Sequence, residues 1–348
     1  MTRLSRTAPP FEAALDRTAA RLPLDGALGE LLDQPHETLS FDPRASGDAL
    51  IIGSAVLRSA TGRVSASAVQ SRGTHALFEI NDWCHAVEGA PAGLVLSNGS
   101  LLDARRLALR YGLLDAVLVG SATVAEEGLA APGDGGWTWA LDTPLRFPVL
   151  APDARSLSTA FAAARARLHA EGWRSSRTRP ALIVITRGAT ETLPAWLRAP
   201  ALQAPDSWIL TSRDGARRLL ERCRAAGSKA PIACDRLAQM LLPHSTAQAP
   251  SRIDIATVPR MLRERLKVRM AAHDGGRRTL GAFAKMGALH QLDLTFIGAP
   301  PLAATHPNAQ PKRFDQGRGF DGLTPLRVFE HEEGSWLAQC RVDGKRWA

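Results

Sequence analysis

Short apolar runs alternate with segments of helical period from residue 49 to residue 297, and this alternation constrains the fold more than any other feature. The clearest runs are Ala49–Leu57, Asp115–Gly120 and Ala181–Thr186, each bounded by turn residues, as buried strands are. Strands that alternate with helices pair in parallel, because a helix makes each return crossing. The remaining predicted strands are Ser207–Thr211, Arg252–Ala256, Lys267–Ala272 and Gln291–Ile297, and the predicted helices are Leu101–Tyr111, Ala154–His169, Asp214–Ala226, Val258–Leu266 and Thr279–Met286.

The two ends of the chain depart from this pattern. Leu326–His331 and Ser335–Val342 flank a Glu-Gly turn and predict an antiparallel hairpin at the edge of a largely parallel sheet. Phe11–Leu32 predicts one or two short helices, and a linker rich in Pro and Gly follows them. We therefore predict an N-terminal helical arm over residues 1–45, which packs on the body or on a partner subunit, and one domain over residues 46–348.

The charge balance indicates a polyanionic partner. The chain has 348 residues, with 43 Lys+Arg against 34 Asp+Glu and a formal charge of +9. Such a balance fits either nucleic acid or a small phosphorylated ligand, whose phosphates guanidinium groups bind in a fork. The arginines are scattered in pairs, no block of five like charges occurs, and a single Tyr is available to stack on a base. A small phosphorylated ligand is therefore favoured over nucleic acid.

Apolar runs and cysteines bound the compartment. No apolar run reaches the ~20 residues that span a bilayer, and the N-terminus lacks the apolar stretch of a signal peptide. Cys84, Cys223, Cys234 and Cys340 form no C-x-x-C and do not make a disulfide framework in a chain of this length. We predict a cytoplasmic, reduced protein with no membrane partner.

Three motif matches lack the context that their chemistry needs. Gly317–Gly322 fits G-x-G-x-x-G, but a dinucleotide loop must follow a strand and open a helix, and this segment lies between loops. His331-Glu332-Glu333 fits half of a zinc deaminase signature whose P-C-x-x-C half is absent. Cys84-His85 has no second ligand pair at metal spacing. The sequence therefore predicts no metal site.

Two strand–turn–helix segments fit phosphate binding. Leu114–Gly128 runs from a strand through Gly120-Ser121 into an acidic helix start, and Lys267–Leu280 runs through Asp274-Gly275-Gly276 into a helix that begins with two arginines. Glycines at the carboxyl end of a strand let the backbone approach a phosphate, and the following helix N-terminus is electropositive. An ordinary structural connection remains the alternative for either segment alone.

Taken in order, these segments resemble the reductase domain of riboflavin biosynthesis, a dihydrofolate-reductase-like domain found at the C-terminus of a bifunctional deaminase/reductase. Five family motifs (S-L-D-G-R; D-A-I-L-V-G-x-G-T-V-x-A-E/D; R-P before an apolar strand; E-G-G-P-x-L; D-E-L-x-L-x-x-x-P) have counterparts at Ser59–Arg63, Asp115–Glu127, Arg179–Ile185, Asp274–Leu280 and Gln291–Pro300. The resemblance covers about residues 49–345. It implies a three-layer α/β/α fold with a mostly parallel central sheet and an antiparallel C-terminal edge, NADPH as cofactor, and a homodimer.

The resemblance also implies roles for single residues. The dinucleotide would contact Thr123, Glu127, Gly275, Gly276 and Thr279, with Arg187 on the 2′-phosphate of NADPH. Ser71 and Arg110 would bind the substrate, Arg110 through its phosphate, and Asp274 would be the catalytic-site acid that orients the sugar hydroxyls.

This chain departs from the family mainly on the substrate side. Ala55 stands where the family has a lysine, Thr61 replaces the Asp of S-L-D-G-R, Arg277-Arg278 replace the Pro after Gly-Gly, and residues 74–96 are an insertion. Three activities stay open. They are hydride transfer from NADPH to a ribosylamino-pyrimidine phosphate, NADPH-dependent reduction of another heterocycle such as a pterin, and non-catalytic ligand binding on the same fold.

Overall fold

Eleven strands form one sheet in the computed structural model, which describes residues 19–21, 39–59, 76–79, 113–122, 124–125, 154–177, 180–188, 192–199, 202, 205–274, 277–297, 323–330 and 336–343. The strands are β1 (Ala19–Arg21), β2 (Leu50–Ser59), β3 (Ala76–Glu79), β4 (Ala116–Gly120), β5 (Ala181–Ile185), β6 (Ser207–Thr211), β7 (Leu241–Pro243), β8 (Met270–Asp274), β9 (Gln291–Ile297), β10 (Leu323–Glu330) and β11 (Trp336–Val342). The helices are α1 (Ala154–Ala170), α2 (Arg213–Ala226), α3 (Cys234–Met240), α4 (Val258–Leu266) and α5 (Arg277–Lys285), with 3-10 turns at Ala195–Arg198, Gly227–Lys229 and Ile255–Thr257.

The strand order is β1-β10-β11-β9-β2-β8-β4-β5-β6-β7, and β3 pairs with β2 beside this path. The run from β9 to β7 is parallel throughout. β10 and β11 form an antiparallel hairpin, and β11 also pairs antiparallel with β9. The predicted α/β sheet, mostly parallel with an antiparallel C-terminal edge, is confirmed.

Helices cover both faces of this sheet. α1, α2 and α3 pack on the face that carries Leu50 and Ile52, which we call face A. α4 and α5 pack on the opposite face, which carries Ile51 and is called face B. Because successive side chains of a strand point to opposite faces, a strand buried on both sides is apolar at every position. The continuous apolar runs in the sequence therefore follow from the three-layer architecture.

α2 shows how the sequence fixes a helix and its ends. Ala216, Leu219 and Cys223 are buried at spacings of three and four residues, which is one face of a helix. The Ser212 hydroxyl accepts the Gly215 N–H at 3.0 Å and caps the first turn. The helix ends at Gly227, whose φ of 54° is costly for any residue with a Cβ.

A buried carboxylate anchors the amino ends of the central strands. Asp115, fully buried before β4, accepts the N–H and hydroxyl of Ser175 at 2.9 and 2.7 Å and the N–H of Arg269 at 2.8 Å. The buried guanidinium of Arg174 lies 3.5 Å from the same carboxylate. Burial lowers the pKa of the neighbouring Arg165 to about 9. Asp115 therefore ties the start of β4 to the start of β8, at the edge opposite the predicted site.

Several local predictions are wrong. Arg252–Ala256 is not a strand, since Ile255 starts a 3-10 turn, and the edge strand is instead the short β7 after α3. Lys267 closes α4 with a φ of 55°, so β8 begins at Met270 rather than at Lys267. Ala19–Arg21 is a strand paired with β10, not part of a helix. The predicted helix Leu101–Tyr111 lies outside the described residues.

The cysteines also differ from the prediction of a fully reduced chain. Cys223 and Cys234 form a disulfide with a Cα–Cα distance of 5.7 Å. The turn at Gly227–Lys229 returns the chain so that the end of α2 meets the start of α3. Cys340 is a buried free thiol. None of the helices in the described part of the chain is long and apolar enough to cross a membrane.

Candidate functional site

The sheet divides at the middle of β2. β8 pairs with β2 as far as Gly53, and β3 pairs with β2 from Val56 onward. Both lie on the same side of β2, because β9 pairs along its other side. Ser54 and Ala55 lie between the two pairings, where one neighbouring strand ends and another begins. In α/β sheets, ligands bind outside the carboxyl ends of parallel strands at such changes of neighbour.

Asp274 ends β8 at this break. Its side chain is 3% exposed, and the residue pairs with Val119 on β4. The preceding pair of Gly53 with His273 puts Asp274 level with Ser54 across the break. Alternation along β8 directs Asp274 to face A, the face of Ala272, while His273 packs on Phe283 in face B. The predicted catalytic-site carboxylate therefore stands at the break, on the sheet face that it shares with Ser54.

Three buried polar residues lie side by side on β2, β9 and β11, at the level of Asp274. We call these residues, Ser54, Asp293 and Gln339, the polar row. Asp293 pairs with Ser54 on one side and with Gln339 on the other. The row points to face A, since Leu292 and Leu294 point to face B. The sequence predicts Gln291–Ile297 only as a strand and does not single out this row, although Gln-Leu-Asp-Leu-Thr alternates polar and apolar residues.

A short loop after β5 carries the predicted 2′-phosphate ligand. Arg187 is exposed, and Arg218 donates to its carbonyl oxygen at 3.2 Å. The N–H of Gly188 donates to the Thr186 hydroxyl at 3.2 Å, and its φ is 94°. A Cβ on Gly188 would lie 2.7 Å from the Cα of Gly215 in α2. Two glycines in contact thus fix this loop, which leaves the Arg187 side chain at the carboxyl edge of the sheet.

The nearby N-terminus of α2 does not offer free amides to an anion. The N–H of Arg213 donates to the Ser245 hydroxyl at 3.0 Å and that of Asp214 to the Pro250 carbonyl at 3.1 Å. The Gly215 N–H is taken by the Ser212 cap. Any phosphate bound beside Arg187 would therefore depend on guanidinium groups rather than on this helix end.

The second predicted phosphate segment has the expected order of elements. β8 ends at Asp274 and α5 begins at Arg277, with the half-buried Thr279 in its first turn. Asp274 is thus the last residue of β8, Thr279 follows that strand, and Arg187 follows β5, a parallel strand of the same sheet. The other predicted site residues lie outside the described residues: Ser71, Arg110, Thr123, Glu127, Gly275 and Gly276. Among the side chains that the structure describes, no three His, Cys, Asp or Glu residues group as a metal site.

Comparisons with known proteins find similar solved structures only. No protein-family model and no curated protein matches the chain. RibD of Acinetobacter baumannii matches with a TM-score of 0.42 and 13% identity over 85% of this chain, which spans 58% of RibD. A pyrimidine reductase-like protein of Corynebacterium diphtheriae matches with a TM-score of 0.44 and 13% identity, and the match covers 92% of this chain and 99% of that protein. Riboflavin biosynthesis reductase Rib7 of Saccharomyces cerevisiae matches with a TM-score of 0.39 and 10% identity, and the match covers 90% of this chain and 99% of Rib7.

Proposed function

We propose that this chain is an NADPH-dependent reductase that transfers a hydride to a ribosylamino-pyrimidine phosphate, as the motif resemblance implies. The observation that carries the proposal is the position of Asp274 at the break in the sheet, with the exposed Arg187 after β5, two strands away at the same edge. Hydride transfer requires that substrate and cofactor bind side by side. The buried acid beside the strand break would position the substrate, and the surface cation on the same edge would bind the phosphate end of the cofactor.

The residues after β5 fit the adenosine phosphate end of NADPH. The Gly188–Gly215 contact holds the loop, and the backbone donors at the start of α2 are already used, so a 2′-phosphate would be bound by guanidinium groups, with Arg187 the one that the resemblance assigns. Thr123, Glu127, Gly275, Gly276 and Thr279 would hold the rest of the dinucleotide. When bound, the reduced nicotinamide would supply the hydride.

On the substrate side, Asp274 would accept hydrogen bonds from sugar hydroxyls and fix the position of the acceptor carbon. Ser71 and Arg110 would bind the substrate, with Arg110 on its phosphate. Ala55 lies within the break itself, where the family has a lysine. An alanine supplies no cation at this position. The reaction would therefore rely on positioning by Asp274 rather than on a lysine.

A second candidate is NADPH-dependent reduction of a different heterocycle, and the polar row favours it. Buried Asp293 and Gln339 add polar groups on the sheet face of Asp274, two and three strands from it, that none of the quoted family motifs requires. We also propose that the protein is a homodimer in the cytoplasm, and light scattering coupled to gel filtration would measure its oligomeric state.

Cofactor titration tests the proposal. NADPH and NADH are titrated into the protein and into Arg187→Ala, with binding followed by tryptophan fluorescence. A lost charged hydrogen bond weakens NADPH binding by about 10- to 100-fold and leaves NADH unchanged. Arg224→Ala, an exposed arginine at the other end of α2, is the matched control and changes neither affinity. Absence of NADPH binding to the unaltered protein would contradict the proposal.

Turnover separates the two candidates. The protein is mixed with NADPH and the ribosylamino-pyrimidine phosphate, and loss of nicotinamide absorbance is followed. Oxidation of NADPH supports the first candidate. Tight NADPH binding without oxidation removes this substrate and leaves the second candidate.

A further inference from the structure

The peptide group between Arg187 and Gly188 is held at both of its polar ends by side chains. The Nη2 atom of Arg218 donates a hydrogen bond to the Arg187 carbonyl oxygen at 3.2 Å. The Gly188 N–H donates to the Thr186 hydroxyl at 3.2 Å. Arg218 lies in the second turn of α2, whereas Thr186 directly follows β5. One peptide group is thus bound from two separate elements, at its carbonyl and at its N–H.

The same peptide group packs closely on α2. Gly188 has a φ of 94°, and a Cβ on it would lie 2.7 Å from the Cα of Gly215. A Cβ on Gly215 would in turn lie 2.8 Å from the Arg187 carbonyl oxygen. Any side chain at either glycine would therefore displace the peptide group. The Arg218 hydrogen bond is made to a carbonyl whose position this close contact already restricts.

These contacts fix the backbone beside an exposed side chain. We use the name peptide clamp for Thr186, Gly188, Gly215 and Arg218. Because a peptide group is planar, holding it restricts the ψ angle of Arg187 and so the direction in which that side chain leaves the loop. The Arg187 side chain is exposed, so its direction contributes nothing to the packing of the core. A fixed direction is useful to a side chain that binds a ligand, because less conformational entropy is then lost on binding.

We infer that Arg218 and Thr186 are positioning residues, which fix Arg187 for the 2′-phosphate of NADPH and thereby set the preference for NADPH over NADH. The inference rests on the proposed function, which assigns the 2′-phosphate to Arg187. Arg218 acts through the carbonyl of Arg187 and Thr186 through the following N–H, so neither has to touch the cofactor. NADH lacks the 2′-phosphate, and its binding does not depend on the peptide clamp.

Cofactor affinities of two variants test the inference, with tryptophan fluorescence as the readout. Arg218→Ala removes one contact to the peptide group, and Thr186→Val removes the other with no change of charge and little change of volume. Each is expected to weaken NADPH binding by about 3- to 10-fold and to leave NADH binding unchanged. Arg218→Lys keeps a charged donor and should restore part of the NADPH affinity. Arg224→Ala, at the other end of α2, is the matched control and should change neither affinity.

A double-mutant cycle shows whether the two residues act through Arg187. In Arg187→Ala no guanidinium is left to position, so adding Arg218→Ala or Thr186→Val should weaken NADPH binding no further. Additive losses would mean that Arg218 binds the phosphate by itself, and they would overturn the inference. Equal weakening of NADPH and NADH would indicate a general structural role and would also overturn it. Thr186→Val provides the reading should Arg218→Ala fold poorly.

Binding of 2′,5′-ADP, which carries the 2′-phosphate without the nicotinamide, separates this inference from the proposed function. If 2′,5′-ADP binds with the expected dependence on Arg187 and Arg218 while NADPH does not bind, the reductase proposal fails and the positioning roles stand. If Arg187→Ala weakens NADPH binding and neither Arg218→Ala nor Thr186→Val does, the reductase proposal stands and the inference is wrong. If the unaltered protein binds neither NADPH nor 2′,5′-ADP, both are wrong.

Discussion

One buried and one half-buried histidine should make the fold sensitive to mild acid. The Nδ1 atom of His290 accepts the Ile51 N–H at 3.0 Å at the start of the central strand β2, so this nitrogen must stay unprotonated. His273 is fully buried beside the Phe283 ring, with ring centroids 4.6 Å apart. Burial lowers the pKa of each imidazole to about 4.

The size of the effect follows from proton linkage. Between pH 6.5 and pH 4 the unfolded chain binds these protons and the folded chain does not, so stability falls as the pH falls through this window. Folded and unfolded pKa values of about 4 and about 6.5 give a loss of about 2 kcal/mol per histidine from pH 7 to pH 5. Together the loss of about 4 kcal/mol is a large part of the 5–15 kcal/mol that typically holds a domain folded.

Urea unfolding at pH 7, 6 and 5, followed by tryptophan fluorescence, measures this loss. His290→Asn offers an amide oxygen to the Ile51 N–H and cannot be protonated, so it should remove about half of the pH dependence. His273→Leu should remove the other half. His169→Asn, on the exposed end of α1, controls for loss of an imidazole. If both histidine variants keep the full pH dependence of the unaltered protein, the protons bind to other groups and these two imidazoles are not the cause.

Three further predictions concern packing and charge. Gly215→Ala puts a Cβ 2.8 Å from the Arg187 carbonyl oxygen, so it should lower the free energy of unfolding in urea by about 2–3 kcal/mol. Gly281→Ala, which has open space around it, should raise the free energy of unfolding by about 0.5–1 kcal/mol by stabilising α5. Equal effects of the two substitutions would contradict the close approach at Gly215. Reduction of the Cys223–Cys234 disulfide should lower the free energy of unfolding by about 2–3 kcal/mol and should lower Tm. The double variant Cys223→Ser/Cys234→Ser should show no change of Tm when reductant is added. A thiol titration that finds both cysteines free before reduction would count against the bond. Asp115→Asn leaves the charge of the buried Arg174 uncompensated, so it should lower the free energy of unfolding by about 3–5 kcal/mol. The NADPH affinity of the folded variant should stay the same, and a loss of affinity would place Asp115 in the site.

The sequence predicts most strands of the parallel run. β4 and β5 lie within a residue of their predicted bounds, because burial on both faces leaves an unbroken apolar run. β6 and β9 match their predicted bounds although polar residues stand within them. β7 is missed because a three-residue edge strand has no period to detect. The error at Lys267 has a conformational cause, since a left-handed lysine ends α4 where the composition favours a strand.

The candidate site is predictable only in part. The order Asp274, Gly-Gly, helix is visible in the sequence, and the structure places Asp274 at the end of β8. The break in the sheet depends on β3, which lies inside a segment that the sequence shows only as an insertion. The Cys223–Cys234 bond and the polar row both depend on which strands and turns become neighbours, and a linear pattern does not contain that information.

Hydrogen exchange measured by mass spectrometry with and without NADPH reports which edge of the sheet meets the cofactor. We expect protection of peptides that contain Asp274, Gly120-Ser121 and Thr186–Gly188, at the carboxyl ends of β8, β4 and β5. We expect no change at Asp115 and Ser175, which lie at the opposite edge. Protection confined to the opposite edge, or none at either edge at saturating NADPH, would contradict this expectation.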